Sequence, residues 1–339
     1  MKAKILLLGF LSSCMATPSP SATAAKAKPA REDAASIVNA AASEIEKGYV
    51  FADKGRALAE HLRARLREGR YAKAERTELA RRLTEDMRGF SHDGHLWVEY
   101  HAEALPEDDA RAKLEMEKRD NDRYYGERVH YGFAKVEHLP DNIGLLDLRV
   151  FAPLDLGPEV ARAATAAMTL LATSDALVID LRQNGGGGDM VNYLASYLFD
   201  DGPKPMSGTY TRADDKVTPG FTAANVPGPK LGGRKPVYVL ISKKTFSAAE
   251  AFAYDLQALK RVVVIGEPSG GGAHPNDDRK LSPHFVLSLS TGRSINPITN
   301  ADWEGTGVTP DVRVPAEGAL DKALELARAA MARNKARAD

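Results

Sequence analysis

Two kinds of hydrophobic pattern follow one another along the chain, and they change near residue 129. In the first part apolar residues recur at helical spacing. Ile37, Val38, Ala41 and Ile45 share one helix face, and Gly48 suits a helix stop. Leu58, Leu62 and Leu66 repeat every four residues up to Gly69, and Leu79, Leu83 and Met87 form a third stripe up to Gly89. Three amphipathic segments closed by glycine predict a small helical bundle over 34–90. A strand and charged connector follow over 91–128. His95 opens the alternating run HLWVEY, which predicts a strand. The stretch EDDARAKLEMEKRDNDR then predicts a solvated helix or connector, with a contact to a charged partner as the other reading.

From residue 129 onward short apolar runs replace the stripes. IGLLDL at 143–148, ALVIDL at 176–181, VYVLI at 237–241 and VVVIG at 262–266 alternate with helical patterns at 158–172, 189–199 and 248–259. FVLSLS at 285–290 adds a further strand. Strands alternating with helices predict an α/β core over 129–330, with a mainly parallel sheet covered on both faces. A charged tail is expected at 331–339.

Composition narrows the function classes. With 339 residues and 43% hydrophobic content the chain can fill one or two domains. Lys plus Arg and Asp plus Glu both number 46, so the net charge is zero and nothing in it suggests a basic nucleic-acid footprint; no nucleic-acid partner is expected. The single cysteine, Cys14, excludes an internal disulfide framework. Lys2 and Lys4 precede ILLLGFL, a signal-peptide pattern too short for a spanning helix. Leu11-Ser12-Ser13-Cys14 resembles the lipobox of bacterial lipoproteins, which implies a signal over 1–14 and lipidation of Cys14. An ordinary signal cut near the Ala-rich stretch at 22–25 is the alternative. Met15 after Cys14 favours the outer membrane by analogy with bacterial sorting. Residues 15–33, rich in Ala, Pro, Ser and Lys, are expected to form a flexible linker. Both readings export the protein to the bacterial cell envelope.

Four pieces carry candidate chemistry. In KKTFSAAEAF, Ser247 and Glu250 form S-x-x-E, a capping box at a strand–turn–helix junction. The same hydroxyl would lie beside free helix N–H groups able to hold an oxyanion, so cap and nucleophile both remain open. In DLRQNGGGGD, 180–189, four glycines follow a strand. Neither phosphate-binding glycine spacing is present, which leaves a nest of N–H groups for a carbonyl oxygen or a loose βα turn. In SHDGHLWVEY, His95 opens the predicted strand, and His92 lies in the turn before it. In WEGTGVTPDV, Glu304 is a turn carboxylate. No His, Cys and Asp cluster has metal-ligand spacing, so no metal or cofactor is expected.

Together these pieces resemble the tail-processing and tricorn-type serine peptidases, most closely the branch containing interphotoreceptor retinoid-binding protein. The resemblance runs from about residue 35 to 320. It is carried by YVFADKGRALAEHL, LTEDMRGFSHDGHLWV, ALVIDLRQNGGGG, VYVLISKKTFSAAEAFAYDL, VVVIGEPSGGGAHP and WEGTGVTPDV, in that order. It implies a ClpP/crotonase-like core and a serine endopeptidase acting on peptide or protein substrates. Ser247 matches the nucleophile. Ala248 and a glycine of 185–187, Gly186 first, match the oxyanion hole. His95 matches the base and Glu304 its orienting partner. The lysine of the tail-processing branch is replaced in Gly270-Gly271-Gly272, and the serine that precedes the tricorn histidine is Gly94 here. His274, near the lost lysine, is the reserve base. The interval between the His95 strand and GFAKVEHL is too short for a PDZ domain. The alternative function is a non-catalytic module holding an apolar ligand or peptide on the same fold.

Overall fold

The computed structural model describes residues 32–106 and 110–338. The expected signal over 1–14, Cys14 and nearly all of the expected linker over 15–33 lie outside the described residues. The expected bundle is present as α1 (Ala34–Gly48), α2 (Ala52–Arg67) and α3 (Arg76–Ser91). Asp33 caps α1 by accepting the Ser36 N–H at 2.8 Å. The three stripes are the buried faces, but α3 continues past Gly89 to a left-handed cap at His92. β1 (Trp97–Tyr100) follows, then α4 (Ala110–Tyr124) and a 3-10 turn at Glu127–Gly132.

The core contains β2 (Phe133–Leu139), β3 (Ile143–Leu148), α5 (Pro158–Leu171), β4 (Ala176–Asp180) and α6 (Met190–Ala195). It continues with β5 (Pro205–Thr211), β6 (Lys216–Phe221), β7 (Val237–Ile241), α7 (Ala248–Ala258) and β8 (Val263–Gly266). The last elements are β9 (Asn276–Ser282), β10 (Phe285–Ser290), β11 (Gly292–Ile295), β12 (Val312–Arg313) and α8 (Ala319–Ala338). The central sheet has the order β12-β8-β7-β4-β3-β2 and is parallel except for β2, which runs antiparallel to β3. Leu177 and Ile179 point to a face covered by α5, α6 and α7. Ala176 and Val178 point to the opposite face, covered by α8. Burial on both faces is why these strands are continuously apolar. α8 presents Ala319, Ala323 and Ala327 at four-residue spacing, so its backbone approaches the sheet closely. The residues expected as a charged tail from 331 onward are the last turns of this helix up to Ala338, with Met331 packed on the same core.

The strand FVLSLS does not join the central sheet. As β10 it pairs with β1 and β9, and Phe285, Leu287 and Leu289 enter the core of the helical bundle. α1–α3 therefore complete their hydrophobic core with a strand from nearly 200 residues later, and β1 hangs from the same sheet. Chain crossings of this kind place the 91–96 turn and the 269–275 loop side by side. Among the described residues no helix is long and apolar enough to cross a membrane.

Leu287 is fully buried in this shared core. Leu287→Ala should cost about 2–5 kcal/mol in chemical denaturation and shift bundle and sheet signals in one transition. A bundle signal that moves separately would show that the two do not share a core.

Candidate active site

β7 is buried along its whole length and ends at a turn tied to the neighbouring strand. The Ser242 hydroxyl donates to the Arg182 carbonyl at 2.6 Å, and the Thr245 hydroxyl donates to the Leu181 carbonyl at 2.8 Å. The Phe246 N–H donates to the Asn184 carbonyl at 3.1 Å. Held in this way, Ser247 adopts φ 54° and ψ −120° just before α7. A non-glycine residue there costs about 1–3 kcal/mol and persists only where its surroundings over-determine it. The result is a sharp elbow that leaves the half-buried Ser247 between a strand end and a helix start.

The glycine turn meets this elbow. Asn184 is fully buried; its amide donates to the Leu148 carbonyl at 3.0 Å, and its Oδ1 accepts the Gly186 N–H at 2.8 Å. Gly186 has φ 115°, and a Cβ there would stand 2.8 Å from Ser247 Cβ and 3.2 Å from the Ala248 nitrogen. Only glycine permits this approach. Ala248 opens α7, so its N–H has no acceptor within the helix. The Gly186 N–H is already given to Asn184, so holding an oxyanion would require that bond to be shared or released.

Glu250, fully buried in the first turn of α7, joins the elbow to the 269–272 loop. Its carboxylate accepts from the Ser247 N–H at 2.8 Å, the Ser269 hydroxyl at 2.5 Å, the Gly271 N–H at 2.7 Å and the Gly272 N–H at 2.8 Å. Burial pushes its pKa up while these four donors oppose the shift. The sequence pattern marked Glu250 only as half of a capping box; its loop contacts need the tertiary structure.

Two histidines lie behind this loop. The His95 ring packs on Phe246 at 4.6 Å between centroids, and a Cβ on Gly272 would stand 2.6 Å from His95 Cε1. His95 is 4% exposed, and its Nδ1 is buried with no hydrogen-bond partner. Burial pushes its pKa down to about 4, with the Asp93 charge opposing. His274 donates from Nδ1 to Asp93 Oδ2 at 2.9 Å and lies 3.6 Å from Glu304 Oε2. Burial works against its protonated form, but the Asp93 bond and the Glu304 charge outweigh this and the net direction is up. Burial also opposes ionisation of Asp93, but His274 outweighs it and the pKa falls. Asp93 accepts in addition from the Tyr49 hydroxyl at 3.1 Å and the His95 N–H at 2.9 Å. Glu304 accepts the Ala273 N–H at 2.5 Å, and burial, with His274 opposing and Asp93 adding, pushes it up to about 7.

The structure thus brings Ser247, Gly186 and Ala248 together and sets His95 against the residue preceding Ser247. Glu304 meets His274, and its hydrogen bonds among the described residues do not include His95. Neither imidazole is hydrogen-bonded to the Ser247 hydroxyl in this state. His92 is the left-handed cap of α3. Asp93 and Tyr49 were not legible from the sequence beforehand, although an Asp two residues before His95 is a hint of an Asx turn. Asp93, His274 and Glu304 also offer ligand atoms within 4.8 Å of one another, a convergence that their wide sequence spacing hides.

Residues 142–314, about half of the chain, match peptidase family S41. The chain belongs to this family. Residues 22–137 match the N-terminal domain of peptidase S41 in eukaryotic IRBP. The S41 chain is 31% identical over 143 residues to carboxyl-terminal-processing peptidase 2, chloroplastic, of Arabidopsis thaliana, covering 42% of this chain and 26% of the relative. It is 26% identical over 155 residues to the tail-specific protease of Haemophilus influenzae, covering 42% of this chain and 21% of the relative. It therefore spans about a quarter of the length of these curated relatives. Its fold is similar to a lipoprotein from Streptococcus agalactiae, with a TM-score of 0.56 at 16% identity over 90% of this chain and 99% of that one. It is also similar to a putative peptidase from Parabacteroides merdae, with a TM-score of 0.57 at 19% identity over 89% and 97%. The central, mainly parallel sheet with flanking helices is the S41 peptidase fold.

Gly186→Ala should force the glycine turn and the Ser247 elbow apart, because the added Cβ would stand 2.8 Å from Ser247 Cβ, and so reduce turnover by roughly 10²-fold, the cost of a misplacement of about 1 Å. Circular dichroism alongside a peptide-cleavage assay checks this; full activity with a methyl group at 186 would remove the glycine from the site.

Proposed function

We propose that this S41 chain is a serine endopeptidase with Ser247 as nucleophile. The strained elbow at Ser247, packed against Gly186 and opening α7, is the observation that carries the reading. In this mechanism the Ser247 oxygen bonds to the scissile carbonyl carbon as His95 takes the hydroxyl proton. The carbonyl electrons move onto oxygen, which the N–H groups of Ala248 and Gly186 hold. His95 then delivers the proton to the departing amine as the C–N bond breaks. Water, losing a proton to His95, attacks the acyl-enzyme, and Ser247 recovers its proton as the peptide acid leaves.

His95 is the proposed base because it lies against Phe246 and Gly272, the two walls nearest the elbow. Its low pKa keeps it neutral, as a base must be, across the physiological range. Asp93, bonded to the His95 backbone, supplies negative charge that would stabilise the imidazolium formed in the reaction, with His274 and Arg88 opposing. A second reading makes His274 the base, favoured by its direct pairing with Asp93 and Glu304. The lysine-led apolar start and Cys14 support a lipid-anchored enzyme in the bacterial cell envelope, facing the periplasm.

A fluorophosphonate probe should label the wild type and fail to label Ser247→Ala. His95→Ala should also abolish labelling, and His274→Ala should be milder; the reverse order would make His274 the base. Folded protein that takes no label would support a binding module on the same fold. The acid limb of kcat/KM should fall near pH 4 as His95 becomes protonated. A limb above 6.5 would assign the base to His274, whose pKa is raised from that value.

A further inference from the structure

Beside the site, behind His274, a cleft of about 550 Å³ opens between the start of α2 and the small sheet of β5 and β11. Its walls include Phe51, Lys54, Tyr210, Arg212 and Arg293. The Phe51 ring meets the His274 ring edge-on at 5.6 Å, so cleft and site share a wall. Arg293 and Tyr210 are directly opposed across the antiparallel β11–β5 pair. The Arg293 guanidinium carbon stands 5.8 Å from the Tyr210 ring centre and 5.9 Å from that of Phe51. Lys54 Nζ approaches Phe51 at 5.0 Å.

The charges in this cleft are unbalanced. Among the described residues neither Lys54 nor Arg293 enters an ion pair. Arg212 donates to the backbone carbonyl of Tyr49 at 2.6 Å and keeps its charge without a carboxylate. The one acid lining the cleft, Asp53, pairs with Arg56 outside it. Asp215, nearby, accepts the Tyr210 hydroxyl at 3.0 Å. Ring contacts hold a guanidinium in place while leaving N–H groups at its edge, the geometry that receives a carboxylate in a forked pair.

We propose that this cleft is a subsite for a carboxylate of the bound peptide, either an acidic side chain or the free C-terminus, with Arg293 as the residue that sets the preference. The inference rests on the peptidase reading for the identity of its ligand, but binding can be measured without turnover. Three fluorescein-labelled peptides of equal length serve as probes on the Ser247→Ala protein. One has a single Glu, moved along the sequence, and an amidated C-terminus; one is neutral with a free C-terminus; one is neutral and amidated. Fluorescence anisotropy should show one of the carboxylate peptides binding about tenfold tighter than the neutral amide, as expected for a charge-assisted pair. The peptide with the advantage identifies which carboxylate is taken.

Arg293→Gln should remove the advantage and leave binding of the neutral amide unchanged, while Arg293→Lys should retain part of it. Lys54→Gln, at an exposed position, should reduce it without altering the fold. Equal binding of all three peptides, or an advantage that survives in Arg293→Gln, overturns the proposal. Cleavage by the wild type separates the two readings. Arg293-dependent binding with no cleavage of any peptide would remove the peptidase and leave the subsite. Cleavage with no carboxylate preference, in KM or in binding, would remove the subsite and leave the peptidase.

Discussion

One carboxylate organises the site. Glu250 is fully buried and accepts four hydrogen bonds, from the Ser247 N–H, the Ser269 hydroxyl and two glycine N–H groups. A buried charge is tolerable only when its lone pairs are satisfied, so each donor is held as firmly as the carboxylate itself. The elbow at Ser247 and the 269–272 loop are therefore positioned relative to each other by one side chain. The loop in turn carries Gly272 against His95 and Ala273 against Glu304. Ser269 extends the network by accepting the Val308 N–H, which ties in the segment that bears Glu304. The strain at Ser247 is maintained because this network leaves the turn no other conformation.

Glycine does the complementary work. Gly186 and Gly272 each leave a gap where any side chain would collide with the elbow residues or with His95. Backbone can thus come close to Ser247 at Gly186 and to the His95 ring at Gly272. The long apolar strands behind contribute rigidity: β4 and β7 are buried on both faces and end at the two loops that meet. Ligand sites beyond the carboxyl ends of parallel strands are a general property of such sheets.

The two histidines show how environment separates like residues. Both are almost completely buried. His95 has no partner at Nδ1, so burial dominates and the neutral ring is favoured. His274 faces two carboxylates, so attraction outweighs burial and the cation is favoured. One ring is therefore available to accept a proton, and the other belongs to a charged cluster that also contains Asp93 and Glu304.

Local pattern was enough to determine the three N-terminal stripes, the strand–helix alternation, the mainly parallel sheet and the glycine-rich turn after β4. These depend on spacing along the chain, and burial follows directly from that spacing. Ser247 at a helix start was equally legible, because a cap is a local device. The tertiary structure alone decided that FVLSLS completes the bundle core, that residues beyond 331 continue α8, and that Glu304 meets His274. It also decided that Glu250 binds a loop some twenty residues away and that Asp93 bonds both the His274 ring and the His95 backbone. Each of these depends on contacts between distant segments, whose geometry is set by how whole layers pack. No periodicity encodes it, because the energy of a buried charge or a shared core exists only once both partners have arrived.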